Sequence, residues 1–206
     1  MPTELFFAIA SDKRNRIITA SLKEFSNNLY QEASINQIIQ EADISRGSFY
    51  KYFEDKDDLY FFIINQIIST TAHTFLTDYL KSQPVDVFSV FKALFEYNLS
   101  LVSNGKYKAF FENLYLSMNY KLQQKLKLIF DKIRNELLEE QLSNIMNTTG
   151  YEKKYFLELM NIVELINRDL LMIKIANHLE DQNILETYHI RMQILRGGDL
   201  NDKARS

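Results

Sequence analysis

Cysteine and tryptophan are absent from this 206-residue chain, and only two prolines and five glycines occur. The first absence excludes disulfides and thiolate metal sites, which leaves the redox compartment open but compatible with a cytoplasmic location. So few glycines and prolines leave β-hairpins short of turn residues, whereas Leu, Ile, Lys, Glu, Asn and Gln suit helices joined by short connections. The expected fold is all-α. No apolar run approaches the roughly 18 residues that a membrane span needs. In the opening MPTELFFAIASDKRNR the basic residues follow the apolar patch, the reverse of the order in a signal peptide. Excess positive charge is missing too. Residues 1–60 carry seven Lys/Arg against ten Asp/Glu, a balance of −3 that equals the net charge of the whole chain. Any nucleic-acid partner must therefore be recognised by the placement of charge, not by its bulk.

Forty-six per cent of the residues are apolar, enough for a sizeable core. Ile17, Ile18, Ser21, Leu22 and Phe25 recur at helical spacing, which predicts a helix from about Ser11, as its N-cap, to Asn27. Ser34 and Gln37 have the spacing of a capping box, and Ile35, Ile38, Ile39 and Ala42 give the next helix a buried face. Asp43 and Ile44 then form a turn, since Asp tolerates the left-handed conformation, and Ser45 caps a third short helix. A long helix is expected from Asp55, closed by Gln83-Pro84. Further helices are expected near Asp86–Ser103, Lys106–Met118, Tyr120–Met146, Tyr151–Glu180 and Gln182–Leu195, punctuated by Asn104-Gly105, Asn147 to Gly150 and Gly197-Gly198.

The third of the short helices carries the chemistry. In ISRGSFYKYFEDKDDLY, residues 44–60, Phe49 and Phe53 are one turn apart and point inward. Arg46 and Tyr50, also one turn apart, share another face with Gly47, Ser48 and Lys51. Small, hydroxylated and basic groups on one surface suit a duplex groove: Arg can bond guanine in bidentate fashion, hydroxyls can reach phosphate, and a small residue permits close approach. Two short helices and a tight turn packed on a first helix make a unit of helix-turn-helix type.

Residues 17–59 resemble the DNA-binding domain of the TetR/AcrR family of transcriptional regulators, the specific part being ISRGSFYKYFEDKDDLY; FFAIASDKRNRII resembles the aromatic lead-in of some members. The resemblance implies that Arg46, Gly47, Ser48, Lys51 and Tyr52 face the major groove, and that Ser34, Tyr50 and Lys56 hold phosphates. Lys56 at a helix N-terminus could add its charge to the backbone N–H groups there. The chain departs from the family pattern at Leu29, where a Gly usually stands, at Ala33, where Thr is common, and at Asp43, which replaces the turn Gly.

The expected division is a DNA-binding domain over 1–57 and a larger helical ligand-binding and dimerisation domain over 58–206, with about nine helices. On the C-terminal helices, Tyr155, Leu159, Ile162, Ile166 and Ile173, followed by Ile184, Tyr188 and Met192, form stripes that suggest a four-helix homodimer seam. Between the ends, Phe91, Phe95, Asn98, Phe111, Tyr115 and Met118 are candidates to line an effector pocket, apolar with a few polar tips. Glu186 and His189 have the spacing of a di-iron ligand pair, but no second copy of that motif accompanies them, and the fingerprints of hydrolases, P-loops and dinucleotide sites are missing. The expectation is thus a non-enzymatic, cofactor-free, cytoplasmic homodimeric repressor that binds double-stranded DNA and is released by a small hydrophobic effector. The alternative is a helical ligand-carrier or protein-interaction protein retaining a DNA-binding-like module that it does not use.

Overall fold

The computed structural model describes residues 1–80, 86–137 and 152–197. Among them are ten helices and no strand: α1 (Glu4–Ala8), α2 (Ser11–Asn27), α3 (Ile35–Glu41), α4 (Arg46–Tyr52), α5 (Lys56–Leu80), α6 (Val87–Ser103), α7 (Lys108–Leu116), α8 (Tyr120–Leu137), α9 (Lys153–Asn177) and α10 (Asp181–Leu195). The expected all-α class is what the chain adopts. The expected stops at Gln83-Pro84 and Asn147 to Gly150, the end of α8 at Met146, and Gly198 lie outside the described residues. The chain divides into two compact units, residues 1–81 with 107–136, and residues 82–106 with 137–206.

In the first unit, Ile17, Ala20, Ser21 and Phe25 of α2 face the core, and α2 packs on α3, α5 and α7. Buried Ser21 satisfies its hydroxyl by donating to the Ile17 carbonyl at 2.7 Å, one turn back on its own helix. Phe25, Tyr30 and Phe110 surround the ring of Tyr60, with centroids 4.7, 4.7 and 6.0 Å away. Burial pushes the Tyr60 hydroxyl pKa well above its ordinary value. Helix α5 is apolar around most of its circumference, and Leu59, Tyr60, Phe62, Ile63, Ile64 and Ile67 are all buried, as such a helix requires. The α3–α4 turn forms as expected: Asp43 adopts φ 52°, the left-handed region, and the Ser45 hydroxyl caps α4 by accepting from the Ser48 N–H at 3.1 Å.

Two caps differ from expectation. Ser11 is the first residue of α2 and Ala10 is its N-cap, without a side-chain bond. Ser34 occupies the N-cap of α3, but no capping box forms, because its backbone N–H donates instead to Glu24 Oε1 on α2 at 2.8 Å. Leu29 needs no glycine-like conformation, since among the described non-glycine residues positive φ occurs only at Asp43 and His178.

In the second unit α6, α9 and α10 pack together, burying Phe91, Phe95 and Leu99 against Phe156, Val163, Leu170, Ile184 and Tyr188. Phe95 and Tyr188 stack face to face, 4.1 Å apart and 5° from parallel. Asp86 caps α6 by accepting from the Ser89 N–H at 3.2 Å. At Gly105 a Cβ would stand 3.0 Å from the Leu101 backbone, a tight contact that a side chain there could make only if that backbone shifted by a few tenths of an ångström. Helix α9 ends at Asn177, short of the expected Glu180, because His178 turns into the left-handed region. Lys174 bridges that corner, donating to the Leu179 carbonyl at 2.9 Å and pairing with Asp181 at 2.5 Å.

Candidate nucleic-acid interface

Helix α4 is only seven residues long, and its two faces are sharply different. Phe49 is fully buried and Phe53, which follows the helix, is too. Arg46, Gly47, Tyr50 and Lys51 are exposed and sit as two i,i+4 pairs on the opposite face. Ser48 is half-buried, its hydroxyl 2.9 Å from that of Ser45. The division into an inward face of rings and an outward face of small, hydroxylated and basic groups, read from the sequence of this helix, is the one that the backbone builds.

Arg46 is held in place. Its Nη1 donates to Asn36 Oδ1 on α3 at 2.9 Å, its Nη2 reaches the Tyr50 hydroxyl at 3.4 Å, and the guanidinium lies 5.6 Å from the Tyr50 ring centroid. Asn36 is a residue that sequence reasoning missed. It is one exposed amide among many, and only the crossing of α3 and α4 sets it beside Arg46. A guanidinium fixed in this way retains donors on its outer edge and is pre-oriented for a planar, bidentate acceptor.

Gly47 has no structural reason to be glycine. A Cβ there would meet only Ser45 Oγ, at 4.0 Å, and its φ is not positive. The absent side chain leaves free space on the exposed face, beside Arg46 and Lys51.

Two of the expected DNA contacts are corrected. Tyr52 retains only 5 % exposure, with its ring 6.1 Å from that of Phe6 and the Lys13 ammonium 5.5 Å from its centroid. It packs the helix down and does not join the exposed face. Lys56 turns inward: its three N–H donors bond the carbonyls of Tyr30, Gln31 and Ala33 at 2.8, 3.3 and 2.9 Å, and the ammonium lies over the Tyr30 ring. Partial burial lowers its pKa, against the raising effect of Glu24. Lys56 clamps the loop between α2 and α3. Ser34 remains half-buried at the start of α3.

The same loop is held from α7 and α8 within the first unit. Asn113 Nδ2 donates to the Phe25, Ser26 and Asn28 carbonyls at 3.2, 2.9 and 3.1 Å, and Ser117 Oγ accepts from the Tyr30 N–H at 3.2 Å. Asp57 accepts from the Tyr30 hydroxyl and from Lys121 at 2.6 Å, with Lys125 3.7 Å away.

The other candidate residues are distributed differently from expectation. Of the stripes on the last two helices, Tyr155 is exposed, Ile162 is 41 % exposed, and Leu159, Ile166 and Ile173 are half-buried. By contrast Ile184, Tyr188 and Met192 are buried in the core of their own unit, so they cannot form a seam with a second chain. The apolar residues that α10 does expose are Ile190 and Ile194, and α9 adds Leu165. The six pocket candidates divide between the two units: Phe91, Phe95 and Asn98 belong to one, Phe111, Tyr115 and Met118 to the other. Phe91, Phe95 and Phe111 are buried, and Phe95 is committed to its stack with Tyr188. Among the described residues no cluster of three or more His, Asp or Glu could hold a metal ion, and Glu186 accepts from Gln182 at 3.1 Å. No described helix is long and apolar enough to cross a membrane.

Comparison with known proteins agrees with this geometry. Residues 17–61 match the family model for bacterial regulatory proteins of the tetR family, and residues 86–198 match that of the Tetracyclin repressor-like C-terminal domain. The HTH-type transcriptional regulator HbdR of Aromatoleum sp. (strain CIB) is 39 % identical over 62 residues, which are 30 % of this chain and 27 % of HbdR. The HTH-type transcriptional regulator SAB2452 of Staphylococcus aureus (strain bovine RF122 / ET3-1) is 27 % identical over 152 residues, 65 % of this chain and 80 % of that protein. Among solved structures, a putative TetR-family transcriptional regulator from Syntrophomonas wolfei superposes with a TM-score of 0.68 at 17 % identity, covering 91 % of this chain and 96 % of its own.

Proposed function

The chain belongs to the TetR family of DNA-binding transcriptional regulators, and from that premise we propose that it is a homodimeric repressor, acting in the cytoplasm, that reads a near-palindromic operator with α4 and leaves it when a small, hydrophobic effector binds. The observation that carries the reading is the exposed face of α4: an Arg46 aimed by Asn36, a Gly47 that the fold does not require, and Tyr50 and Lys51 beside them. In a major groove Arg46 supplies the base contact, Gly47 the close approach, and Tyr50 and Lys51 the positioning contacts to the backbone, with Ser48 near the groove edge. Two copies would place two such helices one turn of DNA apart.

The dimer seam supported by exposure runs along Tyr155, Leu159, Ile162, Leu165 and Ile166 of α9 and Ile190 and Ile194 of α10. The Arg191–Asp169 ion pair, at 2.6 Å, sets the level of the two antiparallel helices, so that Ile166 and Ile194 lie near one another along the bundle. Exposed apolar residues on two adjacent helices match what a four-helix interface needs. For the effector, the abundance of buried rings and the scarcity of buried charge favour a fatty-acyl, steroid-like or aromatic molecule over a sugar or nucleotide.

The test is a titration of wild type and Arg46→Ala against the duplex that the wild type enriches from a random library, and against a scrambled duplex, at one salt concentration. Loss of about 1–3 kcal/mol on the enriched duplex, with little change on the scrambled one, supports Arg46 as the reader. Equal losses on both would remove that role, and a wild type that enriches nothing would favour the carrier reading.

A further inference from the structure

The matched helix-turn-helix region begins at residue 17, yet a segment before it completes the reading helix. A seven-residue helix cannot satisfy its own last carbonyls. Those of Lys51 and Tyr52 are taken by a residue 48 or more positions earlier in the chain: the Thr3 hydroxyl donates to the Lys51 carbonyl at 2.8 Å and the Thr3 N–H donates to the Tyr52 carbonyl at 3.0 Å. Three residues on, Phe6 is completely buried, its ring 4.8 Å from Phe53, 5.2 Å from Phe62 and 6.1 Å from Tyr52. Arg14 of α2 fastens the far end of α1, donating from Nη1 to the Phe7 carbonyl at 2.8 Å. The segment is anchored at both ends and laid across the C-terminal end of α4.

Its side chains carry no positive charge to offer DNA, and the Met1 ammonium is paired with Asp58. Residues 1–12 contain Glu4 and Asp12 and no Lys or Arg, whereas arms that enter the minor groove do so with basic side chains. We propose that Thr3 and Phe6 are positioning residues for DNA recognition: they hold the last turn of α4 so that Tyr50 and Lys51 keep their place on the reading face. This rests on the reading of α4 as the DNA-contacting helix. Without Thr3 the end of a helix this short frays, and Lys51, in its last turn, leaves the exposed face first.

The experiment uses the full chain with Thr3→Val, which keeps the shape and removes the hydroxyl bond, together with Phe6→Ala and its conservative counterpart Phe6→Leu. Backbone hydrogen exchange of residues 46–53 and DNA titrations over a range of salt are measured at a temperature where circular dichroism shows every variant folded. Expected are faster exchange in 46–53 with α9 unchanged, an affinity for the enriched duplex about fivefold lower for Thr3→Val, a shallower salt dependence as the Lys51 contact weakens, and recovery in Phe6→Leu. Variants that melt earlier but, while folded, keep wild-type exchange, affinity and salt slope would overturn the proposal and leave the segment a plain stabiliser. If the wild type binds no duplex, the DNA reading of α4 has failed; if it binds and Thr3→Val binds equally, only the positioning role has.

Discussion

Replacing Gly47 by Ala should make the protein more stable and a poorer DNA binder, two effects of opposite sign from one methyl group. On the folding side, the new Cβ meets only Ser45 Oγ at 4.0 Å, an ordinary contact, and the backbone there is not in the left-handed region. Alanine in a helix is favoured over glycine by about 0.5–1 kcal/mol, which for a chain of this size is a rise in Tm of about 1–4 °C. On the binding side, a methyl group forced into a close-packed contact costs about 1–3 kcal/mol, a loss of about 5- to 150-fold in affinity. Differential scanning fluorimetry gives the first number and fluorescence anisotropy with an enriched duplex, at fixed salt, gives the second. A raised Tm with unchanged affinity would place Gly47 outside the interface and refute the argument that its side chain is absent for the sake of DNA. A lowered Tm would refute the claim that the fold has room for it.

Asn36→Ala should lower affinity for the enriched duplex less than Arg46→Ala does, because it frees the guanidinium without removing it; additive losses in the double variant would show that Asn36 does not act through Arg46. Lys56→Met should remove three hydrogen bonds from the α2–α3 loop and cost about 1–3 kcal/mol of stability, read by denaturant titration; a stability equal to wild type would show that the clamp contributes nothing. Ile162→Glu with Ile166→Glu should convert a dimer into monomers in sedimentation at micromolar concentration, whereas Ile184→Glu should unfold the chain because that side chain lies in its own core. Burial pushes the Asp181 carboxyl up, but hydrogen bonds from Lys174 and Ser103 and the charge of Lys174 outweigh it, so its pKa is lowered on folding. The stability this gives is present above the ordinary carboxylate pKa and is lost as the pH falls through the lowered one. With the carboxylate 41 % exposed it amounts to about 0.5 kcal/mol after solvent screening, and Asp181→Asn should flatten that part of the acid limb.

Helix positions and the inward rings of the reading head were legible because each depends on neighbours a few residues away: Phe49 and Phe53 are one turn apart, Ser45 caps its own helix, and Asp43 takes its left-handed turn from local sterics alone. What could not be read depends on which distant group arrives alongside. Lys56 at the start of a helix looks like a phosphate ligand until the loop from Tyr30 to Ala33 turns three carbonyls toward it. On α10 the periodicity yields one stripe through Ile184, Tyr188 and Met192 and another through Ile190 and Ile194, and nothing in the spacing ranks them. The stacking of Tyr188 on Phe95, from a helix more than 80 residues earlier, decides which stripe is core. Thr3 belongs to the same class, since its partners are 48 and 49 positions away.

That dependence on placement also answers how a module with an acidic balance could serve a polyanion. Several of its carboxylates are engaged by hydrogen bonds or ion pairs with groups outside α4. Asp12 pairs with Arg16 at 2.5 Å and Glu41 with Lys23 at 2.8 Å, while Glu24 accepts the Ser34 N–H and Asp55 accepts the Asp58 N–H at 2.8 Å to cap α5. Asp57 is neutralised by Lys121 and flanked by Lys125, two cations supplied from α8. Among the described residues Arg46, by contrast, is tied to the neutral groups of Asn36 and Tyr50, which leave its charge uncompensated. With a Debye length of about 8 Å at physiological salt, a phosphate approaching α4 responds to the charges of that face and is screened from most of the rest. Binding that rests on so few cations should be shallow in its salt dependence, with a slope of log K against log salt near −0.9 for each phosphate neutralised. A slope steeper than about −6 for the dimer would require phosphate contacts well beyond Arg46 and Lys51, and would show that the exposed face of α4 is only part of the interface.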